Sequence, residues 1–349
     1  MIIVYGASGY TGRLVCAELQ RRKLPFIAAG RDEEKLKRLP GNPEISVAPL
    51  DDAAALERLM KRGRVVLDCA GPFARMGKPV QDAALAAGVH FLDITGELAW
   101  IRETHSRDAE ARAKNVALVN SVGFDVVPTD CAAALAAEAA GSPTERVRIA
   151  FAAKPMQPSQ GTARSAVESF HLGSLAWADG EFVREPVGTE VWEAPFPEPM
   201  GRRTCVSVPW GDVATAPRST GARTVRTFMP MSPALARLGR VGGAMMKWRP
   251  VRALAERWVR SLPEGPSDDA RAHSTFAVYA EAVGPNGTRS AWITGGNGYD
   301  FTAISAVLCA ELAARQGFDK RGALTPTQAF GARALLDGVG EAVHWGLGN

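Results

Sequence analysis

The chain opens on an apolar run, Met1-Ile2-Ile3-Val4, and passes directly into Gly6-Ala7-Ser8-Gly9-Tyr10-Thr11-Gly12, after which a helical pattern runs from 11 to 22. Glycines three residues apart at a strand-to-helix junction leave few folds open. Gly6 permits a tight turn, Gly9 leaves the backbone open to a pyrophosphate, and Gly12 lets the helix pack close to the sheet. The helix start then offers free N–H groups and a partial positive charge to phosphates. The same glycines would also serve a tight turn without a ligand, but the junction they occupy favours the phosphate reading.

The pattern around this turn repeats. Strands are expected near 1–5, 26–29, 45–48, 65–69, 90–94 and 116–120, and helices near 11–22, 33–39, 53–62, 78–87, 98–114 and 128–140. Short strands separated by helices of this length imply right-handed crossovers and a parallel sheet, hence a doubly wound α/β fold. After Gly141-Ser142-Pro143 the texture changes to longer, more antiparallel runs, near 147–153, 204–208, 274–283 and 289–294. Asn286-Gly287 lies between the last two and is a two-residue hairpin signal. The C-terminus reads as helix again, near 303–316 and from Thr325-Pro326-Thr327-Gln328, where an N-cap, an N1 proline and a capping-box glutamine coincide. The expected division is a dinucleotide domain over 1–125, an inserted α+β substrate or dimerisation domain over 126–300, and C-terminal helices over 301–349 that pack back on the first domain.

Composition narrows the function classes. The 349 residues carry 41 Lys plus Arg against 37 Asp plus Glu, a net charge of +4 that does not argue for a nucleic-acid partner. No apolar run is long enough for a bilayer span. Neither a basic leader nor a cleavage site precedes the first strand. The five cysteines (16, 69, 131, 205, 309) are scattered, odd in number and without a C-x-x-C pair. Neither a disulfide framework nor a metal site is expected, and a reducing cytoplasmic compartment is the default.

The end of the second strand bears on the choice of cofactor. An acidic residue there would bind a ribose diol, whereas the chain has Ala29-Gly30-Arg31, with Lys35 and Lys37 following and Asp32 and Glu33 one and two places late. A guanidinium at that point can grip a 2′-phosphate, so NADP(H) is preferred over NAD, against the alternative of a solvated cation. Asp51, after the third strand, could flank the adenine. Cys69-Ala70-Gly71-Pro72-Phe73, after the fourth, would leave room for ribose and nicotinamide. Cys69 reads as a packing residue, since no neighbouring base activates it.

Taken together, Gly6–Gly12, Ala29-Gly30-Arg31, Cys69–Phe73, Asp93-Ile94-Thr95-Gly96-Glu97 and Gly123-Phe124-Asp125-Val126-Val127-Pro128-Thr129-Asp130 resemble the saccharopine dehydrogenase-like oxidoreductases, which include trans-acting enoyl reductases. The resemblance covers about the first 140 residues and resumes at Gly298-Tyr299, Thr302 and Leu324-Thr325-Pro326. It implies an NADP-binding Rossmann domain, an inserted α+β domain and returning C-terminal helices. Two departures, Val126 where the family often has Ser and Ser159-Gln160-Gly161-Thr162 in place of Ser-Gly-Gly-Thr, bear on substrate identity.

Such a cofactor transfers hydride, and the protein must then manage one proton. Asp125 has two readings, a proton donor with a raised pKa or a cap for the following helix. Glu97 is similarly divided and leans to a structural hydrogen bond. His171 is a second catalytic candidate if its helical segment faces the crevice. Between 237 and 260, seven basic residues face the single acid Glu256, interleaved with Met, Trp, Val and Leu. That stretch could lie on an anionic membrane, receive an acidic carrier or acyl-CoA phosphate, or form a lid or dimer helix. The expected activity is an NADP(H)-dependent reductase acting on an activated C=C (enoyl or polyketide-like) or C=N bond of a small-molecule or acyl substrate. The expected assembly is a homodimer, and the rival reading is a non-catalytic NADP-binding sensor or lipid-associated scaffold.

Overall fold

The computed structural model describes residues 1–155, 157–164, 175–235, 237 and 248–348. The chain divides into two compact units, one of Met1–Val127 with Tyr299–Val339, the other of Pro128–Gly298 with Gly340–Asn349.

The first unit is a parallel seven-stranded sheet. Its strands are β1 (Ile2–Tyr5), β2 (Phe26–Gly30), β3 (Glu44–Val47), β4 (Val65–Asp68), β5 (His90–Asp93), β6 (Ala117–Val119) and, from the far end of the chain, Gly322–Leu324. Their spatial order is β3-β2-β1-β4-β5-β6 with Gly322–Leu324 beyond β6, every pairing parallel. The order reverses between β1 and β4, and in a doubly wound sheet the ligand crevice opens at the carboxyl ends of such a pair. β1, β2, β4, β5 and β6 are buried throughout, which explains their unbroken apolar runs. Helices α1 (Tyr10–Arg21), α2 (Glu33–Lys37), α3 (Ala53–Met60), α4 (Phe73–Ala87), α5 (Leu98–Ser106) and α6 (Asp108–Ala113) connect the strands. The core includes Ile3, Ile27, Leu56, Val66, Phe91 and Trp100, all essentially without solvent contact. Side chains of this kind contribute about 1.5–3 kcal/mol each when fully buried.

The sequence pattern predicts one long helix over 98–114, but the structure has two, meeting at Arg107. The Arg107 guanidinium pairs there with Asp82 at 2.7 Å and Glu110 at 2.8 Å, so a charge between two carboxylates marks the break. The predicted helix at 78–87 begins earlier, at Phe73, and carries Pro79 inside it.

The second unit is built on a mixed sheet. Arg146–Lys154 lies between Thr224–Pro230, to which it is parallel, and Thr275–Gly284, to which it is antiparallel. Thr275–Gly284 turns into Gly287–Gly295 through a hairpin where one was expected, but Gly284 pairs with Gly287, so the two turn residues are Pro285 and Asn286 and Gly287, at φ 84°, opens the next strand. The outer strand, Val343–Gly348, lies where the sequence pattern shows only the end of a helical region. Its glycines are the reason: a Cβ at Gly346 would lie 2.8 Å from the Trp292 ring, so this strand gives up side chains to fit against an indole. The helical segment expected around His171 runs over 162–177 in the sequence pattern, but its end, Trp177, belongs to a strand, Leu175–Ala178. Among the described residues no helix is long and apolar enough to cross a membrane.

Candidate cofactor and active site

The phosphate turn forms for the reasons its glycines suggest. Gly6 has φ +76°, and a Cβ there would lie 2.8 Å from the backbone N of Ala70. A Cβ on Gly12 would strike the Gly6 carbonyl oxygen and lie 2.9 Å from Ala7 Cα, so α1 can start this close to β1 only with glycine at 12. Gly9 N donates to Gly6 O at 3.0 Å, and the Arg13 guanidinium donates to Ser8 O at 2.9 Å, holding the turn. Gly9 is the N-cap of α1, and neither a side-chain cap nor an acidic residue occupies that first turn. Gly6, Ala7, Ser8, Gly9, Tyr10, Thr11 and Gly12 thus form an uncapped, glycine-floored helix start of the kind that accepts phosphate. Tyr10 meets Tyr299 edge to face at 5.2 Å between ring centres.

Arg31 directly follows β2 and is exposed, as is Lys35. Asp32, the nearest acid, caps α2: its Oδ1 accepts from Lys35 N at 3.1 Å. Lys37 is committed to Glu33 at 2.9 Å. Asp51 lies in the turn after β3, which ends at Val47. Burial and the charges of Asp68 and Asp51 hold the Tyr5 phenol well above its ordinary value, with Arg31 opposing them. Arg31, Asp51 and the strand ends of β1 and β4 therefore share one electrostatic neighbourhood.

The loop after β4 is fixed at both ends. Asp68 Oδ1 accepts from Ala70 N at 2.8 Å. Glu97 reaches back to accept from Phe73 N and Ala74 N, each at 2.9 Å, and so caps α4 from another segment. The structural reading of Glu97 is the one these bonds support, and they hold Cys69, Ala70, Gly71, Pro72 and Phe73 beside the glycine turn. Burial and the charge of Asp68 push the Cys69 thiol well above its ordinary range, which keeps it out of the thiolate form.

Asp68 and Asp93 are direct neighbours in register on β4 and β5, and both are buried. Their surroundings separate them. Asp93 Oδ1 accepts from Thr95 N at 3.1 Å and Ser121 N at 2.9 Å, and Oδ2 from the Trp100 indole and the Asn120 amide, each at 2.7 Å. Four N–H donors serve an ionised carboxylate even though burial pushes its pKa up to about 6. Asp68 has one such donor, and burial first, with the Asp93 charge adding to it, pushes its pKa well above the usual carboxylate range. Ser121 takes a left-handed φ of 63° to turn its N–H toward Asp93. Asn120, Ser121 and Trp100 escaped the sequence reading because they lie 7 to 28 residues from Asp93. The available signal was a polar residue ending an otherwise apolar strand, at both Asp93 and Asn120.

Asp125 sits half-buried beyond β6. A Cβ at Gly96 would lie 2.8 Å from its Oδ2, so the Gly96 backbone passes directly over the carboxyl. Burial first, and the Glu97 charge second, push its pKa up to about 6. Thr302 fixes the segment before it, its Oγ1 accepting from Phe124 N at 2.9 Å, while Ser305 Oγ donates to Val122 O at 2.9 Å. The structure thus brings the glycine turn, the 69–73 loop, Glu97 and Asp125 together on the first unit. His171 lies outside the described residues.

The residues present fit a dinucleotide: a Cβ-free cradle, an uncapped helix start and a cation after the second strand. Residues 2–119 match the family model described as saccharopine dehydrogenase NADP binding domain. The saccharopine dehydrogenase-like oxidoreductase of Mus musculus is 32% identical over 151 residues, covering 37% of this chain and 35% of that protein. The trans-acting enoyl reductase of Mycobacterium ulcerans is 32% identical over 142 residues, covering 37% and 33%. A lipid droplet localized protein of Caenorhabditis elegans is 32% identical over 145 residues, covering 37% and 34%. The aligned part spans about a third of each relative's length. Among solved structures, apo saccharopine dehydrogenase (L-Glu forming) of Saccharomyces cerevisiae superposes with a TM-score of 0.65 at 12% identity, over 100% of this chain and 99% of that one. The chain is therefore similar to the saccharopine dehydrogenase-like oxidoreductases: residues 2–119 match the NADP-binding domain of saccharopine dehydrogenase, and the whole chain has the fold of that enzyme.

Proposed function

We propose that the protein is an NADPH-dependent reductase that delivers hydride to an activated C=C or C=N bond of a small-molecule or acyl substrate, with Asp125 supplying the proton. The observation that carries the cofactor choice is the pairing of an exposed Arg31 at the end of β2 with an Asp32 already spent on capping α2. An acid committed to a helix start is a poor ribose ligand, while a guanidinium there suits a 2′-phosphate. The acyl C=C variant draws support from the trans-acting enoyl reductases among the relatives.

When bound, NADPH supplies the hydride. The glycine turn and the start of α1 would hold the pyrophosphate, Arg31 and Lys35 the 2′-phosphate, and Cys69–Phe73 would line the nicotinamide end. Asp125 holds the proton: its pKa of about 6 keeps a useful acid fraction near neutrality, which an ordinary carboxyl would not retain. Reduction then adds hydride to one atom of the double bond and the Asp125 proton to the other, and solvent reprotonates the carboxylate.

Titration of the purified protein with NADPH, followed by cofactor fluorescence, tests the reading. Arg31→Glu is expected to weaken NADPH binding roughly 100-fold, the loss of a charge-assisted pair plus repulsion, and to change NADH binding far less. Equal losses for the two cofactors would remove Arg31 from the 2′-phosphate site. The proton role has its own readout. Because the Asp125 pKa is raised, the acid form dominates below pH 6 and falls tenfold per unit above it. With NADPH consumption as the assay, kcat/KM in the reducing direction is expected to decline with that slope above about pH 6. Asp125→Asn should flatten the profile and lower the rate by about 10²–10³-fold. An unaltered profile in that variant would assign the proton to another group. Failure of every enoyl and imine substrate to consume NADPH, with cofactor binding intact, would favour a sensor or scaffold.

A further inference from the structure

We propose that the helix Arg249–Ser261 in the second unit is a membrane-surface element that lays Trp248, Leu254 and Trp258 into the headgroup region of an anionic bilayer. The four most exposed large apolar side chains among the described residues all fall between 235 and 258: Trp248 at 71%, Leu254 at 70%, Trp258 at 61% and Leu235 at 55%. Leu254 and Trp258 are four residues apart and share one face of the helix. Val259, next to Trp258 in the sequence, is 1% exposed, so the helix is seated along one edge while Leu254 and Trp258 stay uncovered. The C-terminal end is tethered. Gln160 donates its side-chain amide to Leu262 O and its backbone N–H to Glu264 O, both at 3.1 Å. Pro250 sits in the first turn of the helix, where its missing N–H is no loss.

Charge selects the occupant. The helix carries Arg249, Arg252, Arg257 and Arg260 against Glu256 alone. A second copy of this helix would carry the same excess of basic residues, so pairing two copies sets like net charge beside like. An anionic lipid surface complements the net basic charge of the helix and takes the tryptophans at its interface, where amphipathic rings are favoured. This placement concerns the second unit only and does not depend on the reductase reading.

The test uses the full-length protein and extruded vesicles of phosphatidylcholine, either alone or with about 30% phosphatidylglycerol, a charge density suited to basic segments. Co-sedimentation is expected to be at least tenfold stronger on the anionic vesicles and to be lost at high salt. Trp248→Ser/Trp258→Ser should weaken it at least tenfold, and Arg257→Ser about fivefold, the increment for one basic residue near the surface. NADPH titration of the same variants, expected to be unchanged, reports that they are folded. Quenching of tryptophan emission by brominated lipid should fall in Trp248→Phe/Trp258→Phe while sedimentation persists. Three results would overturn the proposal: no partition at millimolar lipid, equal partition of the serine double variant, or a change of oligomeric state in that variant by light scattering. The last would make the face an interface between copies, and salt-sensitive binding of an acidic carrier protein in place of vesicles would reassign it in the same way.

Discussion

Asp93→Ala is expected to destabilise the first unit by about 4–6 kcal/mol, a large part of the 5–15 kcal/mol that holds a typical domain folded. The carboxylate is the shared acceptor of four buried N–H donors, from Thr95, Ser121, Trp100 and Asn120. Removing it strands the Thr95, Ser121 and Trp100 donors, while the Asn120 amide keeps its bond to Thr104 Oγ1 at 3.2 Å, and each stranded buried donor costs about 1–3 kcal/mol, some recovered by rearrangement. Ser121 adds to the loss because its left-handed backbone is held in place by the same contact. Asp93→Asn should cost less, about 2–3 kcal/mol, since one oxygen is kept but the new amide meets the Trp100 and Asn120 donors with a donor of its own. Urea denaturation followed by circular dichroism measures both. An alanine variant losing under 1 kcal/mol would mean that these donors have other acceptors.

Gly12→Ala is expected to weaken NADPH binding at least 100-fold while leaving the chain folded. The added methyl runs into the Gly6 carbonyl oxygen and the Ala7 backbone, neither of which is a flexible side chain that can swing away. Relief requires α1 to move away from β1, which displaces the N–H groups that face the phosphates. A displacement of about 1 Å is enough to cost two orders of magnitude at a preorganised site, and overpacking adds about 1–3 kcal/mol to the folding penalty. Fluorescence titration and a melting curve on the same sample separate the two effects. Gly9→Ala makes the control: its Cβ would meet only the Gly6 oxygen, at 3.3 Å, so its structural cost should be small and its binding loss should report on the ligand side of the turn.

Those two sites differ in how far a linear reading of the chain could reach them. The glycine turn is local: Gly6, Gly9 and Gly12 act on one another within seven residues, so their spacing carries the geometry. The same holds for the capping box at Thr325–Gln328, where Thr325 and Gln328 bond each other reciprocally, and for the place of the hairpin near Asn286, although its turn residues are Pro285 and Asn286. The Asp93 cluster is not local. Asn120 and Ser121 reach Asp93 because β5 and β6 are neighbours in the sheet, a relation that hydrophobic periodicity does not encode. Glu97 was assigned its structural part, yet which backbone groups it caps, 23 and 24 residues upstream, follows only from the fold. Short strands were the other loss. Gly322–Leu324 is too brief for a period-two pattern and exists because the β6 edge templates it. Val343–Gly348 is disguised by the glycines that let it fit against Trp292.

The order in which a ribosome emits these segments has a consequence of its own. β6 ends at Val119, and the strand that covers its outer edge is not synthesised until residue 322. At about 5–20 residues per second, the nascent dinucleotide-binding sheet waits on the order of 10–40 seconds with one margin bare. An uncovered parallel margin can pair with another chain, so polysomes carrying this message hold their greatest tendency to cross-associate during that interval. Chains truncated between 130 and 320 should therefore aggregate far more readily than the full-length product, and slowing translation should lengthen their exposure to chaperones.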